Sequence, residues 1–223
     1  SHTRPGRGFS HMTIKLYCFG ESGNSYKAAL ALELSGLDWE PVYVDFFGGE
    51  SRTPDYRTNI NEMGEAPVIV DGDFRTSQSG AIQAYVTEKS GKFGGKDRDE
   101  TYDILRWVLW DNHKLSSTAG LTRFLMNFLP ADKRPAEVIA FNQGRLKAAY
   151  QTLDTHLEGR DWIVGDGITN ADLSCCGYLY YPEPFGFDRA DWPNIDVWLT
   201  RLSQTPGWKA PYDLMPGSPA DRT

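Results

Sequence analysis

Ser22 and Ser25, within the stretch GESGNSYK (residues 20–27), stand at the spacing of a C-x-x-C redox turn with hydroxyls in place of both sulfurs. The stretch lies where an apolar strand hands over to an amphipathic helix. Serine at a helix start is favoured for structural reasons alone, because its side chain satisfies a free backbone N–H. The same geometry can also hold an anion, since helix-end N–H groups and a hydroxyl donor together form a polar pocket for a thiolate. A thiol of ordinary pKa, about 8.5, is roughly 3% ionised at pH 7, and lowering that pKa by about 2 units raises the nucleophile roughly 25-fold. One hydroxyl and a helix terminus suffice for such a shift.

Other residues in the chain compete for chemistry. Cys18 alternates with Leu16 and Ile14 toward one strand face, where a small core hydrophobe is the simpler role. Tyr17 lies within the same strand and reads as packed. Cys175-Cys176 sits on a mostly apolar helix and reads as inert core. Only His113 and His156 lie beyond the N-terminal edge, and no Cys/His cluster has metal-ligand spacing. Ser77-Gln78-Ser79 opens a helix and offers free N–H groups with short polar side chains. Trp110 and His113 are i, i+3 neighbours off the main apolar face of their helix, where a tryptophan stripe is usually core.

The elements that carry these residues alternate strand and helix at first. IKLYCF (14–19) is a strand. NSYKAALALELSGL is a helix stopped by Gly36, and EPVYVDF (40–46) is the next strand. A helix between two short strands makes a βαβ unit with parallel strands. A polar segment follows (47–65), with one short helix after Thr53-Pro54. APVIV (66–70) is a continuous apolar strand, Asp71-Gly72 a tight turn, and DFRTS the returning hairpin strand. Ser77 is then expected to cap QSGAIQAYVTEKSG. The glycine- and lysine-rich run at 91–97 reads as a linker. Beyond it, five helices are expected and no strand. The first should turn Ile104, Leu105, Val108 and Leu109 inward. A long helix over 134–157 should bury Val138, Phe141, Leu146, Ala149, Leu153 and Leu157. Thr169-x-x-Asp172 is a capping-box pattern, and a shorter helix spans about 194 to 203.

Composition sets outer bounds. With 223 residues, 40% of them hydrophobic and 13% aromatic, the chain can bury a sizeable core. A net charge of −7 leaves no basic footprint for nucleic acid. No apolar run approaches the ~20 residues of a membrane span, and no signal-peptide pattern is present. Two of the three cysteines are adjacent, which disfavours a disulfide framework and suits a reducing, cytoplasmic setting. Residues 1–11 are polar and basic and read as an expression-tag scar.

Two features coincide: the order β-α-β-α-β-β-α with SGNS after the first strand, and EAPVIV followed by RTSQSGAI. With an all-helical second half, the chain from Met12 onward resembles the cytosolic glutathione transferases, most of all bacterial members with serine, cysteine, threonine or asparagine in the first loop. The resemblance implies a thioredoxin-like α/β domain over 12–90 and an all-α helical-bundle domain over 98–223 with an irregular tail. It implies a cis bond between Ala66 and Pro67, with the Ala66 backbone pairing the cysteinyl part of glutathione like an added strand. Gln78 and Ser79 would hold the γ-glutamyl end. Many members carry Glu or Asp where Gln78 stands, so another carboxylate, such as one from a partner subunit, would face the ammonium. Ser22 would face the sulfur, alone or sharing it with Asn24, while Gly20 and Gly23 would let the loop approach the ligand. Trp110 and His113 would line the pocket of an apolar electrophile. The resemblance further implies detoxification by glutathione transfer, no metal and a homodimer. Two other activities remain open: glutathione-dependent reduction of disulfides or peroxides, and a non-catalytic binding module.

Overall fold

A computed structural model describes residues 12–219, so residues 1–11 and the last four lie outside the described residues. Strand β1 (Ile14–Cys18) buries Ile14, Leu16 and Cys18 on one face. Helix α1 (Gly23–Ser35) follows, with Ser22 as its N-cap and Gly36 ending it in the left-handed conformation. Strand β2 (Trp39–Tyr43) pairs parallel with β1, Ile14 opposite Trp39, as a crossover through α1 requires. Helix α2 (Pro54–Asn59) is capped by Thr53. Strands β3 (Val68–Asp71) and β4 (Phe74–Ser77) form an antiparallel hairpin, and β3 pairs antiparallel with β1. The sheet order is β2-β1-β3-β4. Helix α3 (Ser79–Ser90) packs on α1, and Ile82 and Val86 join the core of Ile14, Leu16, Tyr26, Leu30 and Ile69.

The second half is helical. Helix α4 (Arg98–Trp110) starts at Asp97, whose carboxylate accepts the Glu100 N–H at 2.9 Å. A π turn over Asp111–Leu115 leads into α5 (Ser116–Asn127). Then come α6 (Ala136–Leu157), α7 (Asn170–Cys175), α8 (Pro193–Ser203) and α9 (Pro211–Leu214). Their core joins that of the sheet domain through α1, which packs against α7, α9 and α5.

Four expectations need correction. Ser77 is the last residue of β4 rather than a helix cap; Gln78 holds the N-cap position with φ 73° and gives no side-chain cap. Six α-helices rather than five follow residue 97 among the described residues, the short α9 included. On α4 the inward face is Ile104, Trp107 and Val108, while Leu105 and Leu109 are 50% and 60% exposed. On α6, Val138 and Phe141 are exposed, and the buried face begins at Asn142 and Leu146. In both helices apolar residues outnumber the positions that one packed face can take.

Candidate active site

An open cavity of about 590 Å³ lies between α3, α4 and the β3–β4 side of the sheet. Asn24, Ala66, Pro67, Gln78 and Ser79 all line it, so three separate segments of the chain face one space. The Ala66–Pro67 bond is cis. Ala66 precedes Val68, the first β3 residue in the ladder with β1, so its peptide groups lie outside that pairing. Ser79 begins α3, whose first N–H groups lack intrahelical partners. Gln78 sits before it at φ 73°, ψ 121°, a region that L-residues adopt at a cost. Its Nε2 reaches Met63 Sδ at 3.4 Å. Asn24 is half-buried, and its carboxamide has no hydrogen-bond partner among the described residues. Leu105, Val108 and Leu109 of α4 supply an apolar wall, and Asn112 closes it.

Ser22, two residues before Asn24, lines a second cavity of about 290 Å³. Its walls are mainly aromatic: Phe19, Phe46, Phe47, Phe124 and Phe128, with Phe19 and Phe46 stacked at 4.6 Å. Arg123 and Tyr178 add polar groups. Ser22 is buried, and its Oγ accepts the Ser25 N–H at 3.0 Å. That bond uses the oxygen as acceptor and leaves the O–H proton for another group.

The helical domain fixes the loop that presents Ser22. The Tyr181 hydroxyl donates to Gly20 O at 2.6 Å, and the Gly20 N–H donates to Pro216 O at 2.6 Å. Arg123 Nη1 donates to Glu21 O at 2.6 Å. The Arg123 guanidinium is itself buried, pairs with Glu183, and lies 4.1 Å from the Tyr181 ring centre. The close approach at Gly20 and Gly23 is thus to protein: Gly20 abuts the Pro216–Gly217 backbone, and Gly23 the Tyr178 ring.

The remaining sequence-read residues fall elsewhere. Trp110 meets Trp107 edge-on at 5.2 Å and lines a separate cleft with Lys114 and Arg145. His113 is exposed on the π turn. Neither lines the two cavities at the α1 terminus. Cys18 is buried, and burial pushes its thiol up to about 12. Burial raises Cys175 and Cys176 as well. None of the three is a thiolate near neutral pH. Sequence reading missed Arg123, Tyr178 and Asn112. Tyr178 lies in an aromatic run, GYLYY, with no spacing signal; Asn112 was masked by the tryptophans beside it.

A sheet domain with a cis-proline beside its open cavity, joined to a helical domain that grips its first loop, defines the class of thioredoxin-like proteins with an appended helical bundle. The family model described as glutathione S-transferase, N-terminal domain, matches residues 12–88, and that for the C-terminal domain matches residues 118–206. A crystal structure of a possible glutathione S-transferase from Rhodopseudomonas palustris is 30% identical with a TM-score of 0.83, covering 90% of this chain and 98% of that one. Glutathione S-transferase F10 of Arabidopsis thaliana is 29% identical over 86% of this chain and 94% of its own length. The disulfide-bond oxidoreductase YfcG of Escherichia coli is 27% identical over 86% and 91%. The chain belongs to the glutathione S-transferase family. Members of this family bind glutathione. Among the described residues, no group of three or more His, Cys, Asp or Glu is placed to hold a metal ion, and no helix is long and apolar enough to cross a membrane.

Proposed function

We propose that the protein is a glutathione transferase that ionises the glutathione thiol at the first turn of α1 and directs it onto an apolar electrophile. The observation that carries this reading is the convergence of Asn24, Ala66, Pro67, Gln78 and Ser79 on one open cavity. In this reading the tripeptide lies extended along Ala66, with its γ-glutamyl carboxylate at the α3 N-terminus beside Gln78 and Ser79. Its sulfur reaches the α1 terminus, where Ser22 and Asn24 supply donors. The aromatic cavity next to Ser22 takes the electrophile, in place of Trp110 and His113. The thiol proton leaves to water. The thiolate then forms a C–S bond as the leaving group departs with the electrons of its own bond to carbon.

Exposed Leu105 and Leu109 on α4 support a homodimer, since paired apolar side chains beside a cavity favour a partner surface. Residues 91–97 act as the linker between the domains. A second reading, reduction of disulfides by glutathione, is favoured by the unpartnered carboxamide of Asn24 and by the likeness to YfcG. Calorimetry with reduced glutathione tests both, because absence of binding at millimolar concentration would remove them together. Turnover of an activated aryl halide against that of a mixed disulfide then separates them: reaction with the disulfide alone would overturn the transferase reading. Sedimentation of wild type and Leu109→Glu tests the dimer.

A further inference from the structure

Tyr178, from the helical domain, is placed against the helix start that presents Ser22. It follows α7, is 8% exposed, and lines the aromatic cavity together with Ser22. A Cβ at Gly23 would stand 2.5 Å from its Cε2, and one at Gly120 would stand 2.8 Å from its hydroxyl. Both glycines are therefore required for the ring to sit where it does. The backbone N–H groups of Gly23 and Asn24 lie near enough to the hydroxyl to oppose the rise in its pKa. These are the first two residues of α1, where N–H groups have no partner inside the helix. The O–H proton has no acceptor among the described residues. Burial raises the phenol above its ordinary range against the opposing pull of Arg123 and the two N–H groups, so Tyr178 is a neutral donor near neutral pH.

We propose that Tyr178 donates its O–H to the glutathione sulfur beside Ser22, so that the thiolate site is built from both domains. The proposal rests on the glutathione reading above. No covalent bond to tyrosine forms or breaks: the thiol proton passes to water, and Tyr178 keeps its own proton and shares it with the sulfur. Tyr178 would then be a catalytic residue rather than a packing residue between α1 and α5.

The test is Tyr178→Phe, which keeps the ring against Gly23 and removes only the oxygen. Thiolate absorbance of bound glutathione, titrated with pH, should shift upward by roughly one unit, since a hydrogen bond to a charged group is worth about that much. Affinity for S-methylglutathione, which carries no ionisable thiol, should stay within twofold of wild type. Gly120→Ala, which crowds the hydroxyl, should shift the thiol titration in the same direction. An unchanged titration in both variants, with S-methylglutathione still bound, would overturn the role of Tyr178 alone. Failure of the wild-type protein to bind either peptide would overturn the glutathione reading and this proposal with it.

Discussion

Lys27 Nζ and Asp111 Oδ2 meet at 2.6 Å with both side chains fully buried, tying α1 of the sheet domain to the π turn of the helical domain. Asp111 also accepts the Ser116 hydroxyl at 2.7 Å and the Ser174 hydroxyl at 2.6 Å. Lys27 reaches Asn112 Oδ1 at 3.3 Å, and Asn112 lines the open cavity. A π turn carries one more residue than an α turn, which re-aims the side chains that follow. Here it brings Asp111 into the core and Asn112 to the cavity wall. The buried pair lies one helical turn beyond Asn24, so the tie between the domains sits directly behind the proposed site.

Lys27→Met should therefore destabilise the protein by about 3–5 kcal/mol, because it leaves the Asp111 carboxylate buried without its cation. The double variant Lys27→Met, Asp111→Leu should recover most of that loss, since an apolar pair removes the uncompensated charge. Urea unfolding of the three proteins measures both. A loss under about 1 kcal/mol in the single variant would show that the pair does not tie the domains.

Ser22 and Asn24 differ in what they do for the fold, and that separates their roles. Ser22 caps α1, so Ser22→Ala should lower stability by about 1 kcal/mol. Asn24→Ala removes a carboxamide without protein partners and should leave stability within about 0.5 kcal/mol of wild type. In the thiolate titration, Ser22→Ala is expected to raise the pKa of bound glutathione. If only Asn24→Ala moved it, the sulfur would belong to Asn24.

Much of this is legible in the sequence alone. Strand-to-helix alternation, the stop at Gly36 and the proline of EAPVIV are local signals, and each depends on residues within one turn or strand. Asn24, Ala66, Pro67, Gln78 and Ser79 were legible through the motif pattern rather than through periodicity. What periodicity could not settle was which of two apolar faces meets the chain itself: Leu105, Leu109, Val138 and Phe141 fit a helical stripe yet lie exposed. Tyr178 and Arg123 were invisible for a different reason. Their importance comes from meeting Gly23 and Glu21 across the domain boundary, and no spacing within one segment encodes that.

Gln78 holds a backbone conformation that glycine adopts more readily, at φ 73°. Gln78→Gly should relieve that strain and stabilise the fold by about 1 kcal/mol. The same change deletes the carboxamide that faces the open cavity. Affinity for glutathione should fall as thermal stability rises, and calorimetry together with a melting curve would read both. A variant that binds glutathione as tightly as wild type would remove Gln78 from the γ-glutamyl site.

Asp172 makes folding depend on pH in an unusual direction. It is fully buried, and burial raises its pKa from 3.8 to about 6, although the Thr169 and Ile163 N–H groups and Trp198 Nε1 pull the other way. Because the folded protein binds this proton more tightly than the unfolded chain, the contribution of Asp172 is greatest below about pH 4 and is lost as pH rises through about 6. The span corresponds to roughly 3 kcal/mol. Unfolding free energies of wild type and Asp172→Asn, measured from pH 4 to pH 7, isolate this group from other carboxylates. The stability of wild type relative to the variant should fall across that range. A relative stability that rises with pH would mean that the three hydrogen bonds outweigh burial and hold Asp172 ionised in the folded protein.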